Sequence, residues 1–152
     1  MSSTSDPRHV ARALALQELY ADLISQKPSI SREDLLGELE MEDYDGRLLA
    51  KIIKGTKNNL EDIDPIIEKN APAWPIPQIA SVDLIILRMS IWEAFIGQIT
   101  PPKVVINEAI ELGKQFGGDN SGSFINGVLG SILEQQQQAT PISDDTEHNR
   151  SE

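Results

Sequence analysis

Cysteine is absent from this 152-residue chain. That excludes a disulfide framework and a thiolate metal site, and it suits a reducing cytoplasm, the expected location. Histidine is nearly absent: His9 and His148 stand one near each end. The core can therefore assemble neither a nucleophile–base pair nor a histidine metal cluster. No catalytic residue, metal or cofactor is expected. No run of eighteen apolar residues occurs, and Met1 to Pro7 lacks the basic-then-apolar order of a signal peptide, so no membrane association is expected. Basic residues are few, 13 against 24 acidic, for a net charge of −11. Such a balance argues against general nucleic-acid binding, which draws its free energy from cations displacing counterions.

The charge that is present is uneven. Glu33 to Asp45 carries seven acidic residues and no basic one, whereas Arg8 and Arg12 are unopposed between Pro7 and Leu16. A local basic patch on an acidic body follows. Residues 1–7 read as a flexible N-terminus, 8–138 as one helical domain, and 139–152 as a disordered acidic tail.

Between the ends the apolar period is helical, and strand-like alternation is lacking. Ala13, Leu16, Leu19, Tyr20, Leu23 and Ile24 line one face of a first helix, opened by Asp6 and Pro7. A short helix is expected from Ser31. The next starts near Asp45 on Leu48, Leu49, Ile52 and Ile53, ending at Gly55 or towards Leu60; Asp64-Pro65 restarts a further one. Gln78 to Gly97 is apolar nearly all round, marking a central buried helix with Trp92 and Phe95 inside it. Thr100 and Pro101 open a helix with Val105, Ala109, Leu112 and Phe116 buried, and Gly117-Gly118 stops it. The last helix buries Phe124, Val128, Leu129, Ile132 and Leu133. The expected class is all-α, a bundle of about six to seven helices.

Arg88 is the most informative single residue, because it falls among apolar neighbours, away from the stripe of Asp83, Ser90 and Glu93. It needs either an internal carboxylate, with Glu108 or Glu111 as candidates, or an external phosphate. Arg8 and Arg12, one turn apart, are expected to point the same way. Unfavourable cations at a helix N-terminus suggest an anionic partner. Gly127 and Gly130, costly inside a helix, are expected to allow close packing, with Asn126 bonding a neighbouring backbone. Phe124 follows the Gly-Gly break and is either the first core residue or an exposed stacking platform. Gly118-Asp119-Asn120-Ser121-Gly122 echoes a serine-protease loop, but without a core histidine the echo is chance.

Three strings carry a family resemblance. Leu87-Arg88-Met89-Ser90-Ile91-Trp92-Glu93 is similar to a helix of the NusB family of transcription antitermination factors. The run from Val104 to Gly117, with Asn107-Glu108-Ala109-Ile110-Glu111-Leu112 at its centre, resembles that family's most recognisable signature, and Ser121 to Leu129 resembles the one after it. Ala11 to Tyr20 also fits, so the resemblance covers about residues 8 to 134.

The resemblance implies two packed helical subdomains without catalytic activity. It implies binding of boxA-type nascent RNA together with the small-subunit ribosomal protein NusE, acting indirectly on the RNA polymerase elongation complex to promote readthrough, notably of ribosomal RNA operons. Carried over by position, RNA contact falls on Arg8, Arg12, Arg88, Asn120, Ser121 and Phe124. The chain departs from the pattern in having only Arg8, His9 and Arg12 for a denser arginine run, Ser123 where lysine is frequent, and Asn120 for an acidic residue. The first two changes weaken phosphate attraction, and the third removes a repulsion. The alternative is a protein-interaction module of the same fold, docking the ribosomal protein or itself as a homodimer. A domain of this type also precedes RNA cytosine methyltransferases, but nothing here could bind a methyl donor.

Overall fold

The computed structural model describes residues 6–25 and 43–150, without the side chains of 140–150. Among the described residues there are six α-helices and no strand, the all-α class expected. The helix expected from Ser31 lies outside them.

Helix α1 spans Pro7–Ser25. Asp6 caps it, accepting the Arg8 backbone N–H at 2.9 Å. Its buried surface is wider than one stripe, running without a polar face from Val10 to Leu16, while Tyr20 and Ile24 are exposed rather than inside. Helix α2 spans Gly46–Asn58, with Asp45 capping the Leu48 N–H. Gly55 does not break it. The chain turns at Asn59 and α3 begins at once, Leu60–Asn70, so Pro65 sits inside a helix instead of restarting one. Pro72, Pro75 and Pro77 then stiffen the connection, which closes in a 3₁₀ turn at Ile76–Gln78.

The central helix α4, Ser81–Ile91, passes into a π-helical turn at Trp92–Ile96. The wider turn carries Glu93, Ala94 and Phe95 all inside. Phe95 is buried as expected, and Trp92 is partly so. Gln98, at φ 50°, turns the chain towards α5, Pro102–Phe116. Helix α5 opens one residue later than expected, with Pro101 rather than Thr100 in the capping position. Val105, Ala109 and Leu112 are buried, but Phe116 is exposed.

Helix α6 spans Ser121–Arg150, helical past residue 138 where the sequence reading ends the domain. It packs along α5, α4 and α3; α1 lies on α2 and α4. Val128, Leu129 and Ile132 join one continuous core. Gly127 and Gly130 do not serve close packing, because a Cβ at either would meet open space. Asn126 is exposed. No helix among the described residues is long and apolar enough to cross a membrane.

Candidate nucleic-acid interface

The stripe that looked polar on α4 is turned inward. Glu93 is 1% exposed and receives Arg12 from α1 in a fork, Nε at 3.0 and 3.2 Å from its two oxygens and Nη2 at 2.6 Å from Oε2. Glu108 of α5 stands 3.6 Å from the remaining guanidinium nitrogen. Burial pulls the Arg12 pKa down, but the hydrogen bonds and charge of Glu93, then Glu108 and Asp6, outweigh it and hold the guanidinium above its usual range. Arg12 therefore does not share the outward direction expected of it. Only Arg8 stays at the surface, its side chain 65% exposed and 3.5 Å from Asp6.

Arg88 resolves as an internal pair, but with neither expected partner. Its Nε and Nη2 donate to the two carboxylate oxygens of Asp64 on α3, at 3.0 and 2.9 Å. Glu108 instead serves Arg12 and accepts from His9 Nδ1 at 2.9 Å. His9 Nε2 lies 3.2 Å from Gln115. These contacts bring the first turn of α1, and Arg8 with it, to the end of α5.

Beyond that end the chain makes a tight corner. Ser121 is buried, and its hydroxyl accepts the Gly118 N–H at 2.9 Å. A Cβ on Gly117 would overlap that hydroxyl, so glycine is required there. Asn120 is left exposed, and Phe124 is partly buried one turn into α6. Phe124 forms one wall of an open cavity of about 670 Å³, with Trp74 and Gln78 from the proline-rich connection and Asp83 from the first turn of α4. On the other side of the corner, Lys114, Gly118, Ser123 and Asn126 line a second hollow of about 480 Å³.

Of the six residues taken from the sequence, Asn120, Ser121 and Phe124 are thus brought together at one corner, with the Arg8 end of α1 docked on the adjoining helix. Arg12 and Arg88 are spent on internal carboxylates. Sequence reasoning missed Trp74, Asp83 and Lys114. A tryptophan in Pro72-Ala73-Trp74-Pro75 was a usable signal, since rigid proline loops hold aromatics out of the core; Asp83 gave none, because its stripe looked solvated. Among the described residues no cluster of His, Cys, Asp and Glu could hold a metal ion.

The model of the NusB family matches residues 9–134. The chain belongs to the NusB family. A relative named transcription antitermination protein NusB, from Roseiflexus castenholzii, is 41% identical over 129 residues, covering 83% of this chain and 91% of its own length. Among solved structures, NusB from T. maritima aligns with a TM-score of 0.69 at 30% identity, covering 86% of this chain and 93% of that one. A second, of antitermination factors NusB and NusE in complex with double-stranded RNA, aligns at 0.73 and 25% identity, covering 84% and 96%. NusB membership accounts for the specific strings: Asn107 to Leu112 carries Glu108, the carboxylate that ties α1 to α5, and Ser121 to Leu129 forms the corner and its core anchor.

Proposed function

We propose that this chain is a transcription antitermination factor that binds boxA-type nascent RNA together with the ribosomal protein NusE, in the cytoplasm and without catalysis. NusB membership carries the reading, and the corner at Asn120 to Phe124 supports its location. Phe124 presents an aromatic face beside a cavity open to solvent, suited to stacking one unpaired base. Arg8, exposed and near the same end, supplies phosphate attraction. Ser121 acts by holding the loop that displays Asn120. Arg12 and Arg88 act through Glu93 and Asp64, as positioning residues. Residues 8–138 are the functional domain in this reading.

At a net charge of −11 the protein alone holds RNA weakly, since its acidic body repels phosphates across a Debye length of about 8–10 Å. NusE binding first, or together with RNA, offsets this. Titrating labelled boxA-type RNA over a range of salt, with and without NusE, tests the reading. Affinity should rise with NusE. Phe124→Ala should cost about 1–3 kcal/mol with the salt slope unchanged, and Arg8→Ala should flatten that slope by about one unit. Equal RNA affinity with and without NusE refutes cooperation. No RNA binding in either case, with NusE still bound, leaves a protein-interaction module.

A further inference from the structure

Helix α2 is basic in an acidic protein. Its 13 residues hold Arg47, Lys51, Lys54 and Lys57 and no aspartate or glutamate, whereas the whole chain has 24 acidic residues against 13 basic. Lys57 is answered by Asp22 of α1. Arg47, Lys51 and Lys54 are exposed, and no carboxylate among the described residues pairs with them. At about 100° per residue the three fall within about 60° of the helix circumference, opposite the side that buries Leu49, Ile52 and Thr56. Like charges at i, i+3 and i, i+4 repel one another, and a merely solvated face mixes signs. The same arc adds exposed Asn58 and no aromatic side chain. It therefore offers charge and hydrogen bonds to a phosphate chain and nothing on which a base could stack.

Tertiary contacts set this stripe beside the end of α1 that carries Arg8. The Asp45 N–H, at the start of α2, donates to the Pro7 carbonyl at 3.1 Å. Near the other end of both helices, Lys57 pairs with Asp22. The two helices thus run parallel, with exposed Arg8 and Arg47 each in the first turn of its own helix. From Arg47 to Lys54 the stripe covers about 10 Å of rise, the length of about three stacked nucleotides. We propose that α2 is a second, sequence-independent RNA contact, in which Arg47, Lys51 and Lys54 hold phosphates of the strand flanking the boxA-type element as it leaves Arg8. The inference rests on the functional reading above and extends it from a short element at the corner to a longer stretch of transcript. It also places attraction on a body whose net charge of −11 otherwise repels RNA.

The test compares labelled boxA-type RNA with the same RNA lengthened at one end or the other by about ten nucleotides, roughly 34 Å of stacked strand. Each is titrated into the full chain with NusE, as wild type and as the triple variant Arg47→Gln, Lys51→Gln, Lys54→Gln. Wild type should bind one of the lengthened RNAs about tenfold or more tightly than the short one at moderate salt. Its slope of log affinity against log salt should steepen by about two, three phosphates at about 0.7 each. Scrambling the added nucleotides should change neither. The triple variant should melt as wild type does, since the three side chains make no internal bond, and should bind NusE equally well. It should hold the short RNA within about twofold and lose the whole gain from lengthening. A gain that survives in the triple variant overturns the proposal. So does an equal loss on the short RNA, which puts the stripe inside the boxA-type site, or a loss of NusE affinity, which makes it a protein contact. A lower melting temperature with the gain intact shows the stripe answering carboxylates of its own chain, and the proposal falls. Wild type that binds the short RNA and gains from neither extension overturns this inference alone. Wild type that binds no RNA at all brings down the functional reading as well, and that result is visible before any variant is made.

Discussion

Arg12 and Glu93 meet inside the molecule, 81 residues apart in sequence, with side chains 6% and 1% exposed. The pair fastens α1 to the π-helical turn. Removing one partner leaves the other charge buried and unanswered. Arg12→Ala should therefore lower folding stability by about 3–5 kcal/mol, and Arg12→Met with Glu93→Leu should regain most of it. Urea denaturation of the three proteins decides the matter. A loss below about 1 kcal/mol in the single variant contradicts the buried pair.

Arg88 and Asp64 make a second fork, less enclosed, at 13% and 28% side-chain exposure. Arg88→Ala should cost about 1.5–3 kcal/mol, the scale of hydrogen bonds to charged groups. Arg88→Lys should recover only part, because an ammonium cannot bridge both oxygens. RNA affinity of the folded variant should equal that of wild type. A large loss of affinity without loss of stability would place Arg88 on a phosphate instead.

Trp92 is held between two glycines. A Cβ on Gly55 of α2 would overlap the indole, and one on Gly97 would come within 2.6 Å of it. In an exposed helix, alanine for glycine gains up to about 1 kcal/mol. Here overpacking against a rigid ring, about 1–3 kcal/mol, should win. Gly55→Ala is expected to melt lower than wild type, whereas Gly127→Ala, facing open space, should melt higher. Equal shifts in the two variants would argue against the indole contact.

Asp6 caps α1, and the Arg8 backbone hydrogen bond, followed by the Arg8 side chain and charge, holds its carboxyl below the usual value of 3.8. A depressed folded-state pKa contributes stability above the unfolded value, and that stability is lost as pH falls through the folded one. Asp6→Ala should cost about 0.5–2 kcal/mol near neutrality. The gap from wild type should close only below the usual carboxylate range. Stability curves against pH check both; a gap that persists undiminished at pH 2 would mean that Asp6 is not acting as a charged cap.

The helical class, the buried α4 and the corner at Gly117 to Ser121 were legible in the sequence. They follow from local physics: apolar period, capping residues and the missing Cβ of Gly117 act within a few positions of each other. The strings around Asn107 and Asn126 likewise pointed to the NusB family, and through it to Asn120, Ser121 and Phe124. What tertiary structure alone decided is which charges are satisfied and where. On a helical wheel Glu93 belongs with Asp83 and Ser90 on a wet stripe, yet α1 covers that stripe and draws Arg12 off the surface. Arg88 required some carboxylate, but the choice of Asp64 over Glu108 depends on how α3 lies across α4. Asp83, on the same stripe, is buried, and its Oδ1 has no hydrogen-bond partner among the described residues. Pairing of this kind depends on distances between elements far apart in the chain, which no local pattern encodes.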